Sequence, residues 1–163
     1  MHLAAANGHE SVVLLLVDQY HANTNVLDDD DRTPLHDASA GGHTGAMRIL
    51  LTQGRAKIGI KKAGGKTAVH LAAARGVVSA LKLLVEEHKA DVSDVTARGD
   101  SALHISSQFG KTACITVLIE NGSDLFLRNS IGQTALDVAT AAGKRTAVGL
   151  LEKAMERKRQ RNN

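Results

Sequence analysis

The sequence predicts an all-α solenoid of stacked helix-turn-helix units, and three columns of residues carry that prediction. Gly8, Gly42, Gly76, Gly110 and Gly143 stand 34, 34, 34 and 33 residues apart. Leu16, Leu50, Leu84, Leu118 and Leu151 keep the same four intervals, as do His2, His36, His70 and His104, with Asp137 in the fifth place. Three residue types sharing one period mean five copies of a unit of about 34 residues, with bounds near 1–27, 28–61, 62–95, 96–128 and 129–154. Composition points the same way. Of 163 residues 24 are Ala, and the aromatics are only Tyr20, Phe109 and Phe126, so the core must be built from small and aliphatic side chains that let helices approach closely.

Within each unit the elements follow in a fixed order. Thr33, Thr67, Ser101 and Thr134 each precede an apolar stretch, where a hydroxyl can accept an orphan backbone N–H at a helix start. Pro34, the single proline, follows its Thr directly, a first-turn position where a fixed φ and a missing N–H cost nothing. Small pairs come next: Ala4-Ala5, Ala38-Ser39, Ala72-Ala73, Ser106-Ser107 and Ala139-Thr140. The glycine column ends this first helix, where a left-handed residue is needed. A second helix then carries the leucine column beside Leu15, Ile49, Leu83, Val117 and Leu150. Both helices are too short to be stable alone, so each unit must bury its apolar face on the next.

Thr33-Pro34-Leu35-His36-Asp37-Ala38 resembles the T-P-L-H-x-A signature of ankyrin repeats, and Thr67-Ala68-Val69-His70-Leu71-Ala72 and Ser101-Ala102-Leu103-His104-Ile105-Ser106 are near matches. The resemblance covers about residues 1–154. It implies two helices and a long β-turn finger per unit, stacked into a curved array with a concave face, and a structural role for each column histidine, bonded to backbone in the adjoining turn. Repeats one to three are one residue longer than the 33 usual in the family, and the extra residue falls at Tyr20-His21, Gly54-Arg55 and His88-Lys89, where it should bulge into solvent. The fifth repeat, Thr134-Ala135-Leu136-Asp137-Val138-Ala139, resembles a C-terminal cap. The first begins inside its first helix, which leaves two readings: a degenerate start, or an upstream repeat missing before it.

Charge is divided unevenly. Residues 144–163 hold seven Lys and Arg against two Glu, whereas the chain as a whole is only +3, so a basic tail over residues 155–163 follows a nearly neutral body. That is not the pattern of a nucleic-acid-reading fold, and no nucleic-acid partner is expected. No apolar run reaches the roughly 18 residues needed for membrane insertion. One Cys forms no internal disulfide, and the start of the chain has no secretory pattern, so the expected location is cytoplasmic, with nuclear import through Arg157-Lys158-Arg159-Gln160-Arg161 as the variant.

Catalytic, metal and cofactor sites are not expected. Stacked helices lie roughly 8–10 Å apart, whereas zinc ligands all lie about 2 Å from one ion, so the column histidines cannot share a metal. Asp28-Asp29-Asp30-Asp31 lacks the alternation and Gly of a calcium loop and reads as a solvated acidic finger. Gly64-Gly65-Lys66-Thr67 is out of register with a phosphate loop and falls on a finger, not after a buried strand. Cys114 sits where other repeats carry Val12, Ala46 and Ala80, so it reads as a buried, inert thiol. Asn25 reads as a turn former.

What remains is a non-catalytic protein-interaction module, monomeric, holding another polypeptide on its finger tips and the ends of its first helices. The alternative is a regulatory or targeting segment of a larger enzyme or channel. The fingers offer Asp29, Asp30 and Arg32, then Lys61, Lys62 and Lys66, then Arg98 and Asp100, then Arg128, so the sign turns from acidic to basic along the groove. The helix ends offer Arg75, Gln108 and Phe109. Phe109 is the natural anchor, because other repeats place small or polar residues there; the competing role is packing over Arg75 or the next finger.

Overall fold

The computed structural model describes residues 1–161. Among them the chain forms five helix pairs and no β-strand: α1 (His2–Ala6) with α2 (Glu10–Asp18), α3 (Pro34–Gly41) with α4 (Thr44–Thr52), α5 (Ala68–Arg75) with α6 (Val78–Lys82), α7 (Ala102–Gln108) with α8 (Thr112–Glu120), and α9 (Ala135–Ala141) with α10 (Arg145–Arg161). The first helices stack on one another as an inner layer, α1·α3·α5·α7·α9, and the second helices as an outer layer, α2·α4·α6·α8·α10. Each pair touches chiefly its neighbours, as expected when no unit can bury its own apolar face.

The inner helices begin as the sequence predicts. Thr33, Ser101 and Thr134 are N-caps whose side chains accept the backbone N–H of the third helical residue. The reciprocal bond comes from the histidine column: the Nδ1 of His36 accepts from the Thr33 N–H at 3.0 Å, that of His70 from the Thr67 N–H at 3.2 Å, and that of His104 from the Ser101 N–H at 3.3 Å. Two orphan donors of a helix start are thus satisfied by one pair of side chains. In the fifth pair the Asp137 carboxylate takes over, accepting the Thr134 N–H at 2.8 Å. The glycine column closes these helices with positive φ; at Gly42 (φ 77°) a Cβ would also lie 2.6 Å from Cγ1 of Val77, so both conformation and stacking exclude a side chain.

The core lies between the layers. Leu50, Leu84 and Leu118 are fully buried and Leu151 almost so, while Leu16 is half-buried at the open N-terminal end. Burying each such side chain contributes about 1.5–3 kcal/mol. Facing helices meet over Ala38, Ala72, Ala73 and Ala139, all fully buried.

The extra residue of the longer repeats is handled differently from a simple solvent bulge. It is drawn into the end of the second helix, where the backbone closes wider i→i−5 turns: the Gly54 N–H bonds the Ile49 carbonyl at 2.9 Å and the His88 N–H the Leu83 carbonyl at 3.1 Å. In the third pair the whole stretch Leu83–Glu87 winds as a π-helix continuing α6. His21, Arg55 and Lys89 then turn the chain with φ of 46°, 52° and 54°, the left-handed region that the shorter fourth repeat fills with Gly122 (φ 89°). On the outer surface Arg48 and Glu87 form a two-pronged ion pair from the second repeat to the third, with Nη2 to Oε1 at 2.7 Å.

Candidate protein-binding surface

The fingers are built by short polar residues at one recurring position. Asp28 Oδ1 accepts from the N–H groups of Asp30 (3.0 Å) and Arg32 (2.8 Å). Thr96 Oγ1 does the same for Arg98 (3.3 Å) and Asp100 (3.2 Å), and Asn129 Oδ1 for Ile131 (3.2 Å) and Gln133 (3.0 Å). These are side-chain-stabilised turns, which fix the finger before any partner arrives. The third finger carries Lys62 at this position and closes through backbone alone, with Lys62 N–H to the Lys66 carbonyl at 2.9 Å. Reading the sequence for charge missed Thr96 and Asn129. Their signal was a side chain with an acceptor oxygen three residues before Gly99 and Gly132.

Successive tips are joined by one backbone bond each: Ala63 N–H to Asp30 carbonyl (3.2 Å), Ala97 N–H to Gly64 carbonyl (3.0 Å) and Ser130 N–H to Arg98 carbonyl (3.0 Å). Beneath them the histidines reach forward. His2, His36 and His104 donate from Nε2 to the carbonyls of Arg32 (2.9 Å), Lys66 (3.1 Å) and Gln133 (3.0 Å) in the following finger. At His36 and His104 a neutral ring is required, because Nδ1 accepts while Nε2 donates; the buried Nε2 of His70 has no partner among the described residues. Burial accordingly pushes the His36 pKa down to about 4 and that of His70 down as well, against Asp94, whose charge pulls the His70 value upward. Asn25, as expected of a turn former, bonds within its loop, and its Oδ1 also accepts the Lys57 N–H at 2.7 Å.

Several of the charged residues singled out in the sequence serve the fingers themselves. Arg32 pairs with the buried Asp37, Lys61 with Asp94 at 2.7 Å, and Arg128 Nη1 donates to the Gly132 carbonyl at 2.6 Å. Asp100 accepts from Asn129 Nδ2 at 2.8 Å. Asp29, Asp30 and Arg75 are exposed away from any such pair, and Lys62 is half-buried beside its own turn. Lys66, Arg98, Asp100, Gln108 and Phe109 come together. They line a hollow of 290 Å³ between the third and fourth fingers and the end of α7, with Thr96 and Ile105 in its walls. Phe109 is 51% exposed there, so it is not consumed by packing.

Cys114 is buried, and burial pushes its thiol pKa up, the opposite of an activated nucleophile. His2, Asp28 and Asp37 bring three ligand atoms within 4.8 Å, yet the His2 Nε2 hydrogen is directed at the Arg32 carbonyl, Asp28 holds its turn and Asp37 faces Arg32. The segment Gly64–Thr67 forms a finger turn ending in an N-cap, not a strand-to-helix phosphate cradle. No helix among the described residues is long and apolar enough to cross a membrane.

Stacked helix pairs with a bonded ladder of turns define a repeat protein of the helix-turn-helix-finger kind. The family model for ankyrin repeats (3 copies) matches residues 1–96 and again 70–161, and the chain belongs to the ankyrin repeat family. No curated protein matches the chain. Members of this family serve generally as protein-protein interaction modules and are typically non-catalytic.

Proposed function

We propose that this chain is a non-catalytic module that holds a segment of another protein in the hollow between the third and fourth fingers, with Phe109 as its apolar anchor. The carrying observation is that Phe109 stands half-exposed in a concavity rimmed by Lys66, Arg98 and Gln108. An aromatic in a partly enclosed, charge-rimmed hollow has the makeup of an interaction hot spot. The surrounding fingers are held by their own hydrogen bonds, so little ordering entropy opposes binding. Asp29, Asp30, Lys62 and Arg75 extend the surface on either side, and the change of charge sign along it favours one orientation of the bound segment.

We take residues 1–154 as the repeat domain and assign its working compartment to the cytoplasm. Affinity capture with mass spectrometry tests the reading. Proteins that the wild-type chain retains and that Arg157→Glu on the outer layer still retains should be lost from Phe109→Ala combined with Lys62→Glu. Retention by the double variant would sink it.

A further inference from the structure

The outer layer carries a second surface that the concave reading does not use. α10 runs for 17 residues against 9 for α8, and its extra turns overhang the loop that follows α8. Two adjoining hollows of 290 Å³ and 560 Å³ result, sharing Ile119, Glu120, Ala154 and Arg157. Their floor is apolar, from Ile119, Leu150 and Ala154, and Lys153, Arg157, Lys158 and Arg161 stand around it. Ser123 lies in the wall of the larger one. Its position holds Ala22, Ala56 and Ala90 in the first three repeats, and its buried Oγ has no hydrogen-bond partner among the described residues. Arg159 is set over the Phe126 ring, 5.8 Å from its centroid, which ties the end of α10 to the same loop.

We propose that this groove binds an acidic amphipathic helix of a partner protein. An apolar floor between two helices, walled by cations, matches a helix that presents aliphatic side chains flanked by carboxylates. The groove lies in the part of the chain with seven cations against two acids, whereas residues 1–53 hold seven acids against two cations, so an acidic ligand is drawn to this end and away from the N-terminal one. Glu120 argues against a polyphosphate. It stands where the hollows meet, beside a continuous phosphate backbone its carboxylate would be repelled, and a peptide can turn a hydroxyl or amide toward it.

The test uses the full chain and a fluorescein-labelled peptide of about 16 residues with Glu and Leu on one helical face, followed by anisotropy. Saturable binding is expected, weakened about tenfold or more by Arg157→Glu with Lys158→Glu and by raised salt, and unchanged by Phe109→Ala. Ala154→Arg separates shape from charge. It adds a cation yet fills the floor, so it should also weaken binding; tighter binding would mean bare attraction and overturn the groove. Preference for a DNA duplex or for phosphatidylserine vesicles over the peptide would overturn it too. So would self-association in sedimentation that Arg157→Glu abolishes, since the occupant would then be a second copy. Unaltered helical circular dichroism in each variant keeps misfolding from imitating loss.

Discussion

The Nε2 of His36 donates to the carbonyl oxygen of Lys66, 3.1 Å away and 30 residues further along the chain, while its Nδ1 accepts from Thr33. Protonating Nδ1 would set a donor against a donor. The folded pKa of about 4 lies below the ordinary 6.5, so the unfolded chain binds more protons between those values. Stability should therefore be full above pH 6.5 and fall as pH drops toward 4, by about 3 kcal/mol for this residue, with His70 adding in the same sense. Urea midpoints measured at half-unit pH steps check this; a flat profile across that window would refute the neutral, bonded ring.

Lys89 is exposed at φ 54° and Arg55 at φ 52°. A side chain in the left-handed region costs about 1–2 kcal/mol, and the unfolded-state entropy of glycine returns part of that. Lys89→Gly should raise stability by about 0.5–1 kcal/mol, and Arg55→Gly by a similar amount. Lowered melting temperatures in calorimetry would contradict the backbone assignment.

Gly99 and Asp31 occupy the same finger position, both at positive φ. A Cβ on Gly99 would lie 2.8 Å from the Ser130 nitrogen, which spans to the neighbouring tip. Gly99→Ala should cost about 1–3 kcal/mol and loosen the fourth finger, whereas Asp31→Gly should be neutral or stabilising. Hydrogen exchange at Ser130 reads the difference directly.

Leu84 is fully buried between the layers of the middle repeat. Leu84→Ala should cost about 2–5 kcal/mol in chemical denaturation. A loss under about half a kilocalorie would be a surface-like response and would remove it from the core.

Phe109 should behave oppositely. Because half its surface is open, Phe109→Ala should leave the denaturation midpoint nearly unchanged while weakening partner capture. A large drop in melting temperature would reassign it to packing.

The repeat order, the N-caps, the glycine turns and the leucine column could all be read from the residues, because period and side-chain chemistry fix them locally. Phe109 could be picked out for the same reason: it breaks its column. The fingers were harder. Arg32, Lys61 and Arg128 read as free charges, since nothing in a linear string says that Asp37, Asp94 and the Gly132 carbonyl come within reach. The wider turns at Gly54 and His88 were legible only as one surplus residue, because whether a chain bulges outward or overwinds its last turn is decided by how the next loop packs. The groove beside α10 depends on how far a helix runs past its neighbour, and a row of Lys and Arg alone carries no such length.

The bonds between tips make each unit an interchangeable link. Ala97 meets Gly64 as Ala63 meets Asp30, each through an N–H donated to the carbonyl of the preceding tip. Excising residues 62–95, one full period, would splice Lys61 to Thr96, bring Ala97 opposite Asp30 and leave His36 facing the Asp100 carbonyl. The shortened array would keep the bond between its tips, since Ala97 can donate to Asp30 as Ala63 does. Length is thus a quantity the fold leaves open, so recognition surfaces can be added or dropped in whole periods while the joinery stays the same.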